Sequence, residues 1–197
     1  SYRFEDAVST YEEYIAELTK RKRSTTEAEK LLEKSKNDLR MLKGVEEVCV
    51  IDSFVVDKKN LLEAYKISPE SGKLFMYDTY FGTSDGKGGT VYETEIGNKI
   101  YYSELQKDST LNILSRNKMM GEWGTGNMLP GSINEAMNAS YPYVMADGVT
   151  IYYAADGSAS IGGYDIFVTR YNTNTDSYLA PENVGMPFNS PYNDYMY

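Results

Sequence analysis

The segment Ser140–Tyr171 reads SYPYVMADGVTIYYAADGSASIGGYDIFVTRY. Runs rich in β-branched and aromatic residues alternate there with turn residues, which predicts three antiparallel strands at 144–146, 149–153 and 165–169. The Asp147-Gly148 pair predicts a tight two-residue turn, because both residues tolerate positive φ. Residues 156–163 form a polar, glycine-rich loop. A sheet of three short strands cannot bury both of its faces alone, so we expect it to pack against copies of itself.

A second copy of this pattern occurs earlier in the chain. Residues 98–102 (NKIYY) match 149–153 (VTIYY), and the tyrosine pair recurs 51 residues later. Residues 111–116 likewise match 165–170, Ile133-Asn134 matches Phe188-Asn189, and Asn138 and Asn193 lie 55 residues apart. Repeats of about 40 to 50 residues are typical of β-propeller blades. The alternative is a pair of unrelated hairpins with similar turns.

The motifs DGVTIYY (147–153) and GGYDIFV (162–168) resemble the repeat of TolB-type, WD-repeat-like β-propellers. The match is specific in 141–193, weaker in 90–138, which lacks the GGYDI motif, and poor in 45–89. Residues 4–43 are similar to the tetratricopeptide-like helices that precede such propellers in Gram-negative envelope proteins. The resemblance implies a periplasmic or outer-membrane-associated protein, often lipid-anchored, with a non-catalytic role in binding or assembly.

The resemblance also implies a set of structural residues. This blade motif consists of Asp147, Gly148, Tyr152, Tyr153, Gly162, Gly163, Tyr164, Asp165 and Ile166. In the family pattern the first two residues turn the hairpin, and the paired glycines turn the loop. Tyr164 and Ile166 pack between blades. The resemblance carries over no catalytic residue, cofactor or metal ligand.

The first 44 residues predict two antiparallel helices. An apolar stripe formed by Val8, Tyr11, Ile15 and Leu18 stops at the basic cluster 20–23. The sequence STTE at 24–27 then reads as a capping box that begins a second helix. One continuous coiled coil is the alternative, but it would place Lys22, Glu29 and Lys36 at core positions.

The predicted fold is therefore mainly β, with an N-terminal α-helical hairpin followed by antiparallel propeller blades. Residues 1–44 form the helical hairpin, and 45–197 form blades at approximately 45–89, 90–140 and 141–191, with the start of another at 192–197. Because closed propellers usually need about four to eight blades, three blades make an incomplete propeller. We expect either an oligomer or a continuation of the propeller beyond residue 197.

Composition narrows the classes of function. The 197 residues include no histidine and one cysteine, so imidazole catalysis and an intrachain disulfide are excluded. Cys49 lies in the apolar run 48–56, and we expect a packed strand thiol there.

Residues 1–44 carry ten basic and nine acidic side chains, whereas residues 45–197 carry ten basic and twenty acidic side chains. This acidic surface excludes nucleic acid as a partner, and no apolar run is long enough to cross a membrane.

Two classes of function remain. The favoured one is an interaction module that binds an envelope protein or a glycan without a cofactor. The alternative is a glycan-active enzyme, because glycosidases need only two carboxylates about 5 to 10 Å apart. Asp52, Glu95, Asp147 and Asp165 are the candidate carboxylates, although the blade motif accounts for the last two.

Overall fold

The computed structural model describes residues 3–45, 49–57, 60–84, 89–135 and 138–196. The chain divides into two compact units, Ser1–Cys49 with Gly185–Pro187 and Val50–Val184 with Phe188–Tyr197. Parts of the predicted blade 45–89, and Tyr197 of the predicted blade start, lie outside the described residues.

The first unit contains a pair of antiparallel helices, α1 (Phe4–Lys20) and α2 (Thr26–Lys43). Ion pairs join the two helices, with Lys36 Nζ 2.8 Å from Glu12 and Lys43 Nζ 3.1 Å from Glu5. The end of α2 therefore meets the start of α1. The predicted N-terminal helical hairpin is confirmed, and the continuous coiled coil is wrong.

The predicted capping box of α2 is wrong. The N-cap is Thr25, and its side chain makes no capping hydrogen bond. The Thr25 hydroxyl instead donates to Glu29 Oε1 at 2.8 Å. Ser24 stands one residue too early to cap the helix, and its hydroxyl donates to Thr26 Oγ1 at 3.4 Å.

The second unit contains two antiparallel sheets. Sheet 1 consists of β1 (Lys73–Met76), β2 (Thr90–Glu93), β3 (Lys99–Leu105), β4 (Leu111–Met119), β5 (Glu122–Trp123) and β6 (Asn127–Met128). Sheet 2 consists of β7 (Asn138–Val144), β8 (Thr150–Asp156), β9 (Asp165–Asn172), β10 (Ser177–Tyr178) and β11 (Glu182–Asn183). The order is β1-β2-β3-β4-β5 in sheet 1, with β6 also on β4, and β10-β9-β8-β7 in sheet 2, with β11 also on β9.

Short helices complete this unit. Those with fully described bounds are α3 (Leu61–Ala64), α4 (Tyr77–Phe81) and the 3₁₀ turns Pro69–Ser71 and Ser132–Asn134. The described residues thus combine four α-helices with two antiparallel sheets, a mixed rather than mainly β composition. They form no closed propeller.

The two sheets share one hydrophobic core. Sheet 1 contributes Tyr92, Tyr101 and Ile113, and sheet 2 contributes Ile151, Tyr153 and Phe167 among others. The opposite face of sheet 1 carries Val91, Ile100, Tyr102 and Leu114, which pack against Tyr77, Tyr80 and Phe81 of α4. Because strand side chains alternate between faces, the adjacent tyrosines of β3 serve two different cores.

The loops before β3 and β8 have the same geometry. The Thr94 N–H donates to the Lys99 carbonyl at 3.0 Å, and the Met145 N–H donates to the Thr150 carbonyl at 2.9 Å. Gly97 and Gly148 occupy the same loop position with φ of 69° and 71°. The predicted two-residue turn is therefore wrong. Each loop holds four residues, and the strand before the second loop is β7, which ends at Val144.

The expectation of a packed strand thiol at Cys49 is also wrong. Cys49 is exposed, and residues 49–57 contain no strand. Val50 and Ile51 retain 75% and 97% of their accessible surface, and Phe54 retains 69%. Apolar composition favours a strand only where a neighbouring strand pairs its backbone, and none does so here among the described residues.

Candidate functional site

Asp165 is an internal brace of the glycine-rich loop. Its side chain is fully buried. Its carboxylate accepts from the Ile161 N–H at 2.7 Å, the Gly162 N–H at 3.3 Å and the Asn183 amide at 2.7 Å. Buried carboxylates persist where hydrogen bonds replace water in this way. Asp165 therefore stabilises the glycine-rich loop through these hydrogen bonds.

The C-terminal segment packs closely against the paired glycines of the motif, Gly162 and Gly163. Neither Gly162 nor Gly163 has a positive φ, so backbone angles do not explain why both are glycine. A Cβ on Gly162 would lie 2.6 Å from the Ser190 carbonyl oxygen, and one on Gly163 would overlap the Asn193 amide. Glycine is required here because another stretch of backbone passes close by.

The remaining motif residues lie in or beside sheet 2. Tyr153 is 1% exposed and stacks on Phe167 with ring centroids 6.0 Å apart. Tyr152 points to the other face of β8, opposite Val168 of β9. The Tyr164 ring packs against Tyr195 at 5.6 Å.

The Asp147 carboxylate organises the loop before β8. It accepts from the Val149 N–H at 3.0 Å, the Thr150 N–H at 2.8 Å and the Thr150 hydroxyl at 2.6 Å. The Thr150 hydroxyl is the main reason that the pKa of Asp147 lies below its usual value. Gly148 supplies the positive φ of this loop, and Asp147 closes it through its side chain.

Two asparagines, Asn134 and the fully buried Asn189, hold equivalent strands, and sequence reasoning missed their role. The Ile113 N–H donates to Asn134 Oδ1 at 2.7 Å, and Asn134 Nδ2 donates back to the Ile113 carbonyl at 3.0 Å. The Ile166 N–H donates to Asn189 Oδ1 at 2.7 Å, and Asn189 Nδ2 donates back to the Ile166 carbonyl at 2.9 Å. We name this arrangement the asparagine clamp.

A second asparagine follows each clamp by four residues. Asn138 Oδ1 accepts from the Leu111 N–H at 3.0 Å, and Asn193 Oδ1 accepts from the Tyr164 N–H at 2.9 Å. The donating residues, Leu111 and Tyr164, precede the clamped isoleucines by two positions in both sheets. The 55-residue offset of these asparagines was visible in the sequence, but their bonding was not.

Two candidate carboxylates of the enzyme alternative, Asp147 and Asp165, lie near opposite ends of β8. The register places Asp165 opposite Ala155, near the end of β8, whereas Asp147 precedes Thr150 at its start. Five strand steps of about 3.3 Å separate these two ends by about 17 Å, beyond the 5 to 10 Å range of glycosidases. Asp52 is exposed and accepts from the Ser53 N–H at 2.8 Å. Glu95 is also exposed, in the loop before β3.

A cleft opens between sheet 1 and the β9–β10 hairpin of sheet 2. Its cavity of about 490 Å³ is lined by Lys99, Tyr101, Ser115, Asn117, Asn127, Met128, Leu129, Pro130, Gly148, Tyr171, Asp176 and Tyr178. We name it the inter-sheet cleft. Its volume falls within the range of about 300–1,000 Å³ of small-ligand sites. The lining combines aromatic rings, amides, one cation and one carboxylate.

Each charged side chain of the inter-sheet cleft contacts a tyrosine. Lys99 Nζ lies 4.7 Å from the centroid of the Tyr101 ring, a cation–π contact. The Tyr171 hydroxyl donates to Asp176 Oδ1, and this bond raises the pKa of Tyr171 above its usual value. Burial raises the pKa of Tyr178. Both hydroxyls are therefore neutral at physiological pH.

Comparison with protein-family models, with curated proteins and with solved structures returned no match. Among the described residues, no helix is long and apolar enough to span a bilayer. The same residues contain no group of three or more cysteine, aspartate and glutamate side chains that could hold a metal ion.

Proposed function

We propose that the chain is a non-catalytic binding module of the Gram-negative cell envelope, with the inter-sheet cleft as its binding surface. The observation that carries the proposal is this cleft, lined by aromatic and polar side chains. The envelope setting and the periplasmic or outer-membrane location are supported by the motif resemblance. The partner is an envelope protein or a glycan, and no cofactor takes part.

Within this proposal, sheets 1 and 2 are blades of a TolB-type propeller. Two equivalent features support it: the loops closed at Gly97 and Gly148, and the clamps at Asn134 and Asn189. A closed propeller usually needs about four to eight blades. The remaining blades would come from an oligomer or from further chain. The helices α1 and α2 are the tetratricopeptide-like part of the module.

Chemical crosslinking in native envelopes tests the proposed function. The tagged protein is expressed in its source bacterium, crosslinked, solubilised and purified, and the adducts are analysed by mass spectrometry. We expect recurring adducts with one or two envelope proteins or with an envelope glycan. Adducts spread over abundant proteins in proportion to their abundance would contradict the proposal.

A further inference from the structure

The floor of the inter-sheet cleft is an ordered array of polar side chains. Lys99 pairs with Asn117 across β3 and β4, and Tyr101 pairs with Ser115. Ser115 pairs in turn with Asn127 of β6. Residues paired across strands, or two apart along one, share a face of the sheet. All five side chains therefore stand in two adjacent rows on one face of sheet 1.

This floor has hydrogen-bonding capacity to spare. Within the described part of the chain, the side chains of Ser115 and Asn117 make no hydrogen bond, and Lys99 pairs with no carboxylate. The Asn127 amide donates only a long 3.3 Å bond, to the Thr125 carbonyl. Hydroxyl and amide groups can each donate and accept. The floor can thus serve a ligand that presents both kinds of group.

The opposite side of the cleft is aromatic and fixed in place. Tyr171 and Tyr178 pack edge to face with ring centroids 5.2 Å apart. The Tyr178 N–H donates to the Pro130 carbonyl at 3.1 Å, which ties the β9–β10 hairpin to the linker between the sheets. Gly131 lies so close that a Cβ there would be 2.9 Å from the Tyr178 nitrogen. The site is therefore preformed.

We propose that the inter-sheet cleft binds a neutral saccharide unit of a glycan. Groups that both donate and accept match the hydroxyls of a sugar, and the partly exposed Tyr171 ring offers an apolar surface to its C–H face. One cation and one carboxylate leave no net charge that would select an ionic ligand. An extended peptide would instead add to a sheet edge. Here the floor is a sheet face whose strand β3 is paired on both sides.

This inference rests on the proposed function, because it names the class of ligand for the same cleft. Saturation-transfer NMR of the full chain tests it with a panel of neutral mono- and disaccharides of glucose, galactose, mannose and N-acetylglucosamine. We expect saturation transfer to at least one member of the panel. The exposed floor residue is removed by Asn117→Ala, and Asn174→Ala is the matched control, an exposed residue at the tip of the β9–β10 hairpin that does not line the cleft. Asn117→Ala should weaken binding about tenfold, the equivalent of one hydrogen bond, and Asn174→Ala should leave it unchanged.

Two outcomes overturn the inference: no member of the panel receives saturation, or both variants bind as the wild type does. The envelope crosslinks separate this failure from failure of the proposed function. If no saccharide binds but crosslinks to one envelope protein are found, the saccharide inference is rejected and the binding-module proposal stands. If neither saccharide binding nor specific crosslinks are found, both proposals are rejected.

Discussion

We expect the clamp at Asn189 to stabilise sheet 2 by about 3 kcal/mol. Asn189 is fully buried, and its amide bonds both the N–H and the carbonyl of Ile166 and also reaches Asn183 Oδ1 at 2.7 Å. Asn189→Ala leaves the buried Ile166 N–H without an acceptor, which costs about 1–3 kcal/mol. The void left by the amide adds about 0.5–1 kcal/mol. We expect a total loss of about 3 kcal/mol.

Urea denaturation followed by circular dichroism and by Trp123 fluorescence measures this loss. With a slope of about 2 kcal/mol per molar urea, the midpoint should fall by about 1.5 M. Asn134→Ala should cost less, about 2 kcal/mol, because Asn134 is only half-buried and its third bond, to the Leu129 carbonyl, is 3.4 Å long. Asn174→Ala, at an exposed position, is the control and should stay within about 0.5 kcal/mol of the wild type.

Amide hydrogen exchange locates the effect. In Asn189→Ala the Ile166 amide should lose protection, while the Ile113 amide keeps its own. The reasoning is refuted if Asn189→Ala unfolds at the same urea concentration as Asn174→Ala, or if protection at Ile166 is unchanged.

Three further predictions concern other parts of the chain. Burial raises the pKa of Tyr92 to about 12, so the stability contributed by its neutral form is complete below pH 10 and lost as the pH rises through 12. Burial also raises the pKa values of Tyr80 and Tyr141 to about 12, so Tyr92→Phe should reduce, without abolishing, the fall of the urea midpoint between pH 9 and 12, whereas Tyr14→Phe, at an exposed site, should leave that fall unchanged. Gly162→Ala should cost about 2 kcal/mol through overpacking and expose the Tyr164 amide to exchange, and an unchanged exchange rate would contradict the close approach. Cys49 is exposed, so one thiol should react with Ellman's reagent in the native protein at the rate found in urea; protection in the native state would contradict its exposure.

The repeated hairpin could be predicted from the sequence because its signals are local. A glycine that needs positive φ and a period-2 strand pattern lie within a dozen residues of each other, and they recur at one offset. The helical hairpin could be predicted for the same reason, since the apolar stripe of α1 stops before a second one begins. The bounds of β7 differ from the sequence pattern, because β7 continues past Pro142 through a bulge, where a proline predicts no strand interior.

The features that could not be predicted depend on distant contacts. An asparagine that bonds a backbone 21 or 23 residues away looks in the sequence like any loop asparagine. The inter-sheet cleft joins strands from two sheets, so its lining emerges only once the register is known. The apolar run after Cys49 has the composition of a strand, but no described strand pairs with it. Its large apolar side chains therefore stay exposed.

Site-specific photo-crosslinking would show whether the inter-sheet cleft is the binding surface. A benzophenone amino acid replaces Asn127, which is exposed and stands on the cleft floor, or Tyr192, which is 74% exposed and lies outside the cleft lining. Each variant is irradiated in native envelopes, and adducts with proteins and glycans are identified by mass spectrometry. The account predicts a discrete adduct from position 127 and none from position 192. No adduct from position 127, or the same adducts from both positions, would contradict it.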